Sequence, residues 1–491
     1  MQQPQNKAYL RSAEERVVHG ETPLNDTLLM EHGETMAKSQ VQETAYKLAD
    51  GVYYRLAGEN VYVRNVTTRY DYLFNPMVKD ILDILKEERT RDELLAALGK
   101  TYDIEHAEGF GDKIDRFLAS MADKGVIDAR RSRSELPMIS DAEGTAKGFY
   151  QKNHKLWNAC LELTYLCNER CRHCYLDDPK ANQEIGILRF DVWRKVIDEI
   201  ADMGCVNVLV TGGEPTLHPD FLQICRHITE RGMLLDIFTN ALKISDSLFD
   251  AIVALKPNTV SFSLYGGTAE FHDWVTQVPG SFEKSLRNIL MFKCAGVDVF
   301  IKSVLFNGKA DEFAKLRALA KRVGISAHCA QAVNIGRSGT THPEFMADNE
   351  TLTAYLASIS DTEPLWQQKS PPVREPDSPV CGVGFSTLTF RPNGNVSPCI
   401  PYSYVLGNVK KDSVKGIWEG SGKLVELRNL KLRDVSPQCA TCNDSGFCVI
   451  CPGIALSEAG AIGPCSYSCR HARLKHSLFD SGVFRQGNGK E

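Results

Sequence analysis

The spacing of apolar positions changes period several times along the chain, and each change marks an element or a boundary. Residues 1–44 are polar without sustained periodicity and read as a mobile tail with room for one helical stretch. From 45 to 130 the pattern predicts a small α+β unit. VYYRL, NVYVRNV and YDYLF carry strand-type residues, separated by turn signals such as AGEN. Helical spacing follows in PMVKDILDILKE, TRDELLAALGKTY and EGFGDKIDRFLASMADKG. Pro76 suits a helix start, Thr90 with Glu93 makes a capping-box pair, and Gly125 suits a helix stop.

Residues 131–154, with a Ser/Arg cluster and Gly/Pro punctuation, read as a linker. Strand and helix patterns then alternate over 155–345. ACLELTY, VNVLVTGG, LLDIFTN, TVSFSLY, VDVFIKSVLF and ISAHCAQAV are six strand candidates, with helical stretches such as FDVWRKVIDEIADMG between them. Repeated β–α units imply a parallel sheet or barrel, and sites in such folds lie at the C-terminal ends of the strands. Residues 346–380 read as a second linker because of their Pro-rich end, 381–475 as a cysteine-rich domain, and 476–491 as a C-terminal tail.

Composition narrows the class. At 491 residues the chain should hold two to four domains. A net charge of −5 argues against a general nucleic-acid binder. No apolar run approaches the roughly 20 residues that span a bilayer. The N-terminus lacks the apolar segment of a signal peptide, so the expected location is the cytoplasm, with no membrane partner.

Sixteen cysteines change the picture. In a reducing compartment they serve as metal ligands more often than as disulfides. Cys160, Cys205, Cys225, Cys294 and Cys329 are scattered singly and read as small buried hydrophobes. Cys167, Cys171 and Cys174 follow the first strand of the alternating region, at spacings that let three thiolates point into one volume. Sixteen cysteines in 491 positions put the chance expectation of such a triplet at about 0.02. Thiolates are the soft ligands of iron–sulfur clusters. Zinc would want a fourth close ligand, and His173, adjacent to Cys174, is badly placed to supply it. Three ligands leave a fourth iron open for chemistry.

This CxxxCxxC run after the first strand resembles the signature of the radical S-adenosylmethionine superfamily. The segment Gly212-Gly213-Glu214-Pro215, ending the second strand, is similar to that family's GGEP segment. The resemblance implies a partial (β/α)6 TIM-like barrel. It implies that the backbone here and Glu214 hold the amino group of the methionine moiety; glycines admit close backbone approach and a carboxylate pairs with an ammonium. It places polar contacts to the cofactor at Thr239, Asn240, Ser261 and Ser263, and makes Tyr175 a candidate adenine neighbour.

The second cysteine group runs Cys381-x12-Gly394-x4-Cys399, then Cys439-x2-Cys442-x5-Cys448-x2-Cys451, then Cys465 and Cys469. It resembles the SPASM extension of peptide-modifying radical enzymes, which carries two auxiliary 4Fe–4S clusters. By that resemblance Cys381, Cys399 and Cys451 serve an inner cluster, and Cys439, Cys442, Cys448 and one of Cys465 or Cys469 an outer one. The family's usual final spacing is x3, so the x2 here leaves the split between Cys448 and Cys451 open. Residues 382–398 lack the extra cysteine some relatives have, so the inner cluster is expected to have an open iron able to bind a substrate thiolate or other heteroatom.

The unit at 45–130 resembles the winged-helix-like peptide-recognition element known from the pyrroloquinoline quinone peptide chaperone, in which a leader peptide adds as a strand to a sheet edge. Together the three resemblances imply an α/β enzyme with three 4Fe–4S clusters and S-adenosylmethionine, fed by an electron donor such as flavodoxin or ferredoxin. It would modify a ribosomally made precursor peptide through a 5′-deoxyadenosyl radical, forming a thioether or carbon crosslink. The alternatives are a maturase of a folded partner enzyme of the anaerobic sulfatase-activator type, a radical enzyme on a small molecule, and a metal-binding DNA-binding protein. The acidic helices of the N-terminal unit disfavour the last.

Overall fold

The computed structural model describes residues 45–57, 60–66, 70–102, 104, 109–129, 142–333, 335–336, 340–368 and 370–484. The expected tail at 1–44 lies outside them. The chain divides into two compact units, Met1–Ala146 and Lys147–Glu491.

The first unit pairs β2 (Val52–Ala57), β3 (Asn60–Asn65) and β4 (Tyr70–Phe74) into an antiparallel sheet in that order, after β1 (Ala45–Leu48). Alternation puts Val61 and Val63 on the face that meets Ile81, Leu82, Leu94 and Leu118 from the helices Met77–Ile84, Arg91–Leu98 and Phe110–Asp123. Thr90 and Glu93 form the expected capping box. Gly125, in left-handed conformation, follows the third helix. A second small sheet was not foreseen: β1 pairs with β5 (Arg89–Thr90) and β6 (Ile127–Ala129). Strands of two to four residues carry too few positions for a period to show.

The second unit is built on one sheet. Six parallel strands run in sequence order: β7 (Asn158–Glu162), β8 (Asn207–Thr211), β9 (Leu234–Thr239), β10 (Thr259–Ser263), β11 (Val299–Val304) and β12 (Ser326–Ala330). These are the six predicted strands, each ending earlier than the pattern suggests, with β7 beginning one residue sooner. One face of β7 to β11 carries residues such as Leu161, Val208, Ile237, Phe262 and Ile301 into the main core beneath the helices, while β12 adds only the half-buried Ala327 and Cys329. The opposite face buries Cys160 and Glu162 on β7 and Ser261 on β10 but opens toward the far edge, with Ser263, Lys302 and His328 side by side at the C-terminal ends of β10, β11 and β12.

The sheet does not end at β7. From the cysteine-rich segment, β13 (Thr387–Phe390) pairs parallel to it, and β14 (Asn395–Ser397) and β15 (Gly407–Asn408) continue antiparallel. The two expected domains therefore share one nine-stranded sheet.

Three boundary expectations need correction. The linker at 131–154 contains the helix Ala142–Lys152, anchored where Tyr150 is buried against Trp157. The linker at 346–380 contains the helix Asn349–Ser358, capped by Asp348 on the Thr351 amide, with Leu352 and Leu356 in the core. The tail at 476–491 begins inside the helix Ser466–Ser481, whose Phe479 is buried. In each case a few apolar residues at helical spacing outweigh the polar composition around them. Among the described residues no helix is long and apolar enough to cross a membrane.

Candidate active site

The loop after β7 carries Cys167, Cys171 and Cys174, and it is fastened from one side. Arg170 and Arg172 donate their amides to the carbonyls of Thr276 and Val275, at 3.1 and 3.0 Å. Arg172 also bonds the Trp274 carbonyl at 2.9 Å and lies over its ring. The end of the helix Ala269–Thr276 thus holds the loop by its backbone. Within the loop, the Glu169 amide points at the Cys167 sulfur at 3.5 Å, and the Cys171 sulfur sits 3.8 Å from the Tyr265 hydroxyl. Burial pushes the Cys167 thiol up to about 12 and the Cys171 thiol well above its ordinary value. Thiols in such surroundings become thiolates only with a cation beside them.

Gly212 and Gly213 stand at the end of β8, against the loop that follows β7. Their nearest neighbours are backbone. A Cβ on Gly212 would stand 2.3 Å from the Thr164 carbonyl oxygen, and one on Gly213 2.4 Å from that of Leu166. The Gly213 and Glu214 amides extend the pairing of β7 and β8, with Gly213 N to Thr164 O at 2.7 Å and Glu214 N to Leu166 O at 2.8 Å. The glycines let two strand ends close up so that the cysteine loop starts from a fixed place. Pro215 is buried and opens a short 3-10 turn.

Glu214 is buried and held by four donors. Its Oε1 accepts from the Thr216 amide (3.1 Å) and hydroxyl (2.6 Å) and from Thr239 Oγ1 (2.8 Å), and its Oε2 from the Asn240 amide (2.8 Å). Burial nonetheless raises its pKa. Three bonds crowd Oε1, so Oε2 is the oxygen with room for another donor. Thr239 and Asn240 therefore brace Glu214. Asn240 also reaches the cysteine loop, donating to Asn168 Oδ1 at 2.6 Å and lying 3.7 Å from the Cys167 sulfur. Ser261 is buried, and Ser263 hydrogen-bonds the Tyr265 hydroxyl. The Tyr175 hydroxyl donates to Glu162 at 2.7 Å, and Tyr165 donates to the same carboxylate at 3.0 Å.

Several side chains here were not singled out from the sequence. Glu162, fully buried, ends β7. Tyr265 lies just past β10, where only its position at a strand end signalled interest. Lys302 lies over Phe238 and Phe300, and burial lowers its pKa. Near Tyr175 a cavity of about 380 Å³ opens, lined also by Ile335, Arg391, Ile400, Tyr402 and Ser457.

The second cysteine group separates into two sets. Cys448 lies within electrostatic reach of Cys469, Cys442 and Cys439, and Cys469 of Cys439 and Cys442. Cys399 and Cys381 lie within reach of Cys451. Cys465 is fully buried against the Cys451 carbonyl, Sγ to O 3.2 Å. Burial pushes Cys399 up to about 12 and Cys448 up to about 11. Of the five scattered cysteines, Cys160, Cys205 and Cys225 are buried as expected, Cys329 is half-buried and Cys294 is exposed on its helix.

Residues 161–320 match the radical SAM superfamily, and residues 381–443 match SPASM, an iron–sulfur cluster-binding domain. The chain therefore carries a radical SAM domain and a SPASM domain. The AdoMet-dependent heme synthase of Methanosarcina barkeri is 25% identical over 325 residues, 61% of this chain and 92% of that protein. The antilisterial bacteriocin subtilosin biosynthesis protein AlbA of Bacillus subtilis is 24% identical over 397 residues, 78% of this chain and 85% of that one. Streptococcus suis SuiB, solved with S-adenosylmethionine, shares the fold at a TM-score of 0.54 and 15% identity, over 86% of this chain and 99% of SuiB.

A radical SAM domain implies a 4Fe–4S cluster and S-adenosylmethionine, and a SPASM domain implies auxiliary clusters. The residues present fit such groups. Around the first triplet, Asn168 Nδ2, Glu169 Oε1 and His173 Nδ1 are buried without a protein partner. Within electrostatic reach of Cys381, Cys399 and Cys451 the buried Tyr402 hydroxyl is likewise unpartnered. Buried polar atoms are almost always satisfied, so these four call for a polar guest. Among the described residues no three Cys, His, Asp or Glu side chains are close enough to grip a single ion. A cubane cluster instead takes one thiolate at each iron corner.

Proposed function

We propose that this radical SAM SPASM enzyme is a maturase that installs a thioether or carbon crosslink in a ribosomally made precursor peptide. The observation that carries the reading is that β13–β15, on either side of Cys399, extend the sheet of the barrel, and that the 380 Å³ cavity is lined both by Tyr175, next to Cys174, and by Ile400 and Tyr402, next to Cys399. AlbA, a bacteriocin biosynthesis protein, aligns over 78% of this chain, against 61% for the heme synthase. SuiB has also been crystallised with its precursor peptide SuiA.

In this reading Cys167, Cys171 and Cys174 hold the radical cluster, Cys381, Cys399 and Cys451 the inner auxiliary cluster, and Cys439, Cys442, Cys448 and Cys469 the outer one. Bound together, the reduced radical cluster and S-adenosylmethionine supply a 5′-deoxyadenosyl radical that takes a hydrogen atom from substrate carbon. The chain's own residues bind and orient. Glu214 Oε2 offers its remaining lone pair to the methionine ammonium. Thr239 and Asn240 fix that carboxylate. Tyr175 and Tyr402 line the cavity that receives the core peptide and keep water and stray hydrogen donors from it. In the N-terminal unit the sheet ends on β2 and β4, edges to which a leader segment can add as a further strand. Flavodoxin or ferredoxin supplies the electron, in the cytoplasm.

The test is turnover under anaerobic, reducing conditions with precursor peptides encoded beside the gene. Wild type forms 5′-deoxyadenosine and a product lighter by two hydrogens per bond, and Cys171→Ala forms neither. Turnover on a tetrapyrrole and on no peptide would overturn the peptide reading in favour of small-molecule chemistry.

A further inference from the structure

Five cysteines of the SPASM segment line one small cavity of about 50 Å³: Cys439, Cys442, Cys448, Cys465 and Cys469. A cubane has four corners, so one of the five is surplus to it. The structure identifies which. Cys439, Cys442, Cys448 and Cys469 interact among themselves. The Cys465 thiol instead donates to the Cys451 carbonyl at 3.2 Å, and its side chain packs with Cys451, Ile454 and Tyr467. It is fully buried at the start of the helix Ser466–Ser481, so its place does not depend on a flexible loop.

Cys451 belongs to the set that is one ligand short. Only Cys381 and Cys399 join it from earlier in the chain, and no cysteine lies between residues 382 and 398. An independent feature points the same way: the Tyr402 hydroxyl, buried and unpartnered, is within electrostatic reach of all three thiols, so a polar group among them would satisfy it. We propose that Cys465 is the fourth ligand of the inner auxiliary cluster, closing the iron that the sequence pattern leaves open. On ligation the Cys465 thiol releases its proton to solvent and gives up its bond to the Cys451 carbonyl for one to iron. The inner cluster then has no corner for a substrate heteroatom, and its role is electron transfer.

This inference rests on the cluster assignment proposed above, and the experiment separates the two. A Cys167→Ala, Cys171→Ala, Cys174→Ala full-length chain is reconstituted anaerobically so that only auxiliary clusters remain. Iron content and the reduced-state electron paramagnetic resonance spectrum are measured with and without cyanide, a probe for an open iron. The expected result is about eight irons per chain and a spectrum indifferent to cyanide. Adding Cys465→Ser should make one of two signals cyanide-sensitive, while Cys469→Ser should alter the other. A cyanide response with Cys465 intact overturns the proposal without any substitution at that position. So does an unchanged spectrum in Cys465→Ser. Loss of all iron from the starting variant overturns the auxiliary-cluster assignment itself.

Discussion

Replacing Gly212 by alanine tests the reading that the paired glycines serve backbone contact. Gly212 sits at φ +142°, a region closed to residues with a side chain. Its added Cβ would meet the Thr164 carbonyl oxygen at 2.3 Å and the Thr164 nitrogen at 3.2 Å, both backbone. Ordinary contact needs about 1 Å more, and neither strand end can yield without breaking the Gly213 to Thr164 hydrogen bond of 2.7 Å. Backbone strain costs about 1–3 kcal/mol and overpacking about the same. The expected destabilisation is therefore about 2–6 kcal/mol. Gly186→Ala is the control. It also has positive φ, +71°, but an added Cβ meets nothing within 4 Å. It should cost only about 1–2 kcal/mol. Urea midpoints of the two metal-free variants, followed by circular dichroism, isolate the clash. Thr164 lies three residues before Cys167, so Gly212→Ala should also lower iron retention and S-adenosylmethionine affinity. A midpoint equal to that of Gly186→Ala, with full iron, would refute the reasoning.

Three further outcomes follow from the geometry. Tyr265→Phe removes the hydroxyl 3.8 Å from the Cys171 sulfur, and should lower the radical cluster's reduction potential by ~40 mV, about 1 kcal/mol for one electron, in a spectroscopic redox titration. Asp273 accepts from Gly280 N (2.6 Å), Ser281 Oγ (2.8 Å) and Phe282 N (2.9 Å) at the start of the helix Ser281–Cys294. Asp273→Ala should cost about 1–2 kcal/mol in urea denaturation, with Asp273→Asn between it and wild type. His218 is buried with Nε2 on the Leu188 carbonyl and Nδ1 accepting the Asp220 amide, and burial lowers its pKa. Its neutral form is the folded one, so its contribution is complete above the ordinary value near 6.5 and falls as the pH drops below it, because the unfolded chain takes up the proton more readily. Wild type should therefore lose stability more steeply than His218→Gln between pH 7.5 and 5.5; parallel slopes would remove His218 from the account.

Much of the sheet was legible because its residues obey one rule at a time. Five of the six parallel strands, β7 to β11, carry Ala, Val, Ile, Leu or Phe on the helix-facing side, and β8, β9 and β10 end at Thr211, Thr239 and Ser263. What stayed hidden depended on partners far away in sequence. β13 is four residues long, and nothing in TLTF says that it will pair with β7. Glu162 looks like one charge in an apolar strand until Tyr165 and Tyr175 are seen donating to it. Asn240 was legible by its address at a strand end, but not the ties its amide and side chain make between Glu214 and the cysteine loop.

The cysteine pairs show most clearly where spacing stops being informative. Cys439 with Cys442 and Cys448 with Cys451 have the same C-x2-C spacing, yet the first pair shares a set and the second is divided. The backbone accounts for this. Cys439 lies in the helical turn Pro437–Ala440, and residues three apart on a helical path fall on the same side. Cys448 and Cys451 are both extended, at φ −93°, ψ 132° and φ −107°, ψ 104°. On an extended path residues three apart fall on opposite sides. Cys448 thus turns toward Cys442 and Cys469, and Cys451 toward Cys381 and Cys399. A third intervening residue would bring the two cysteines onto the same side of an extended segment, so the short x2 spacing is what allows this chain to divide them without a bend.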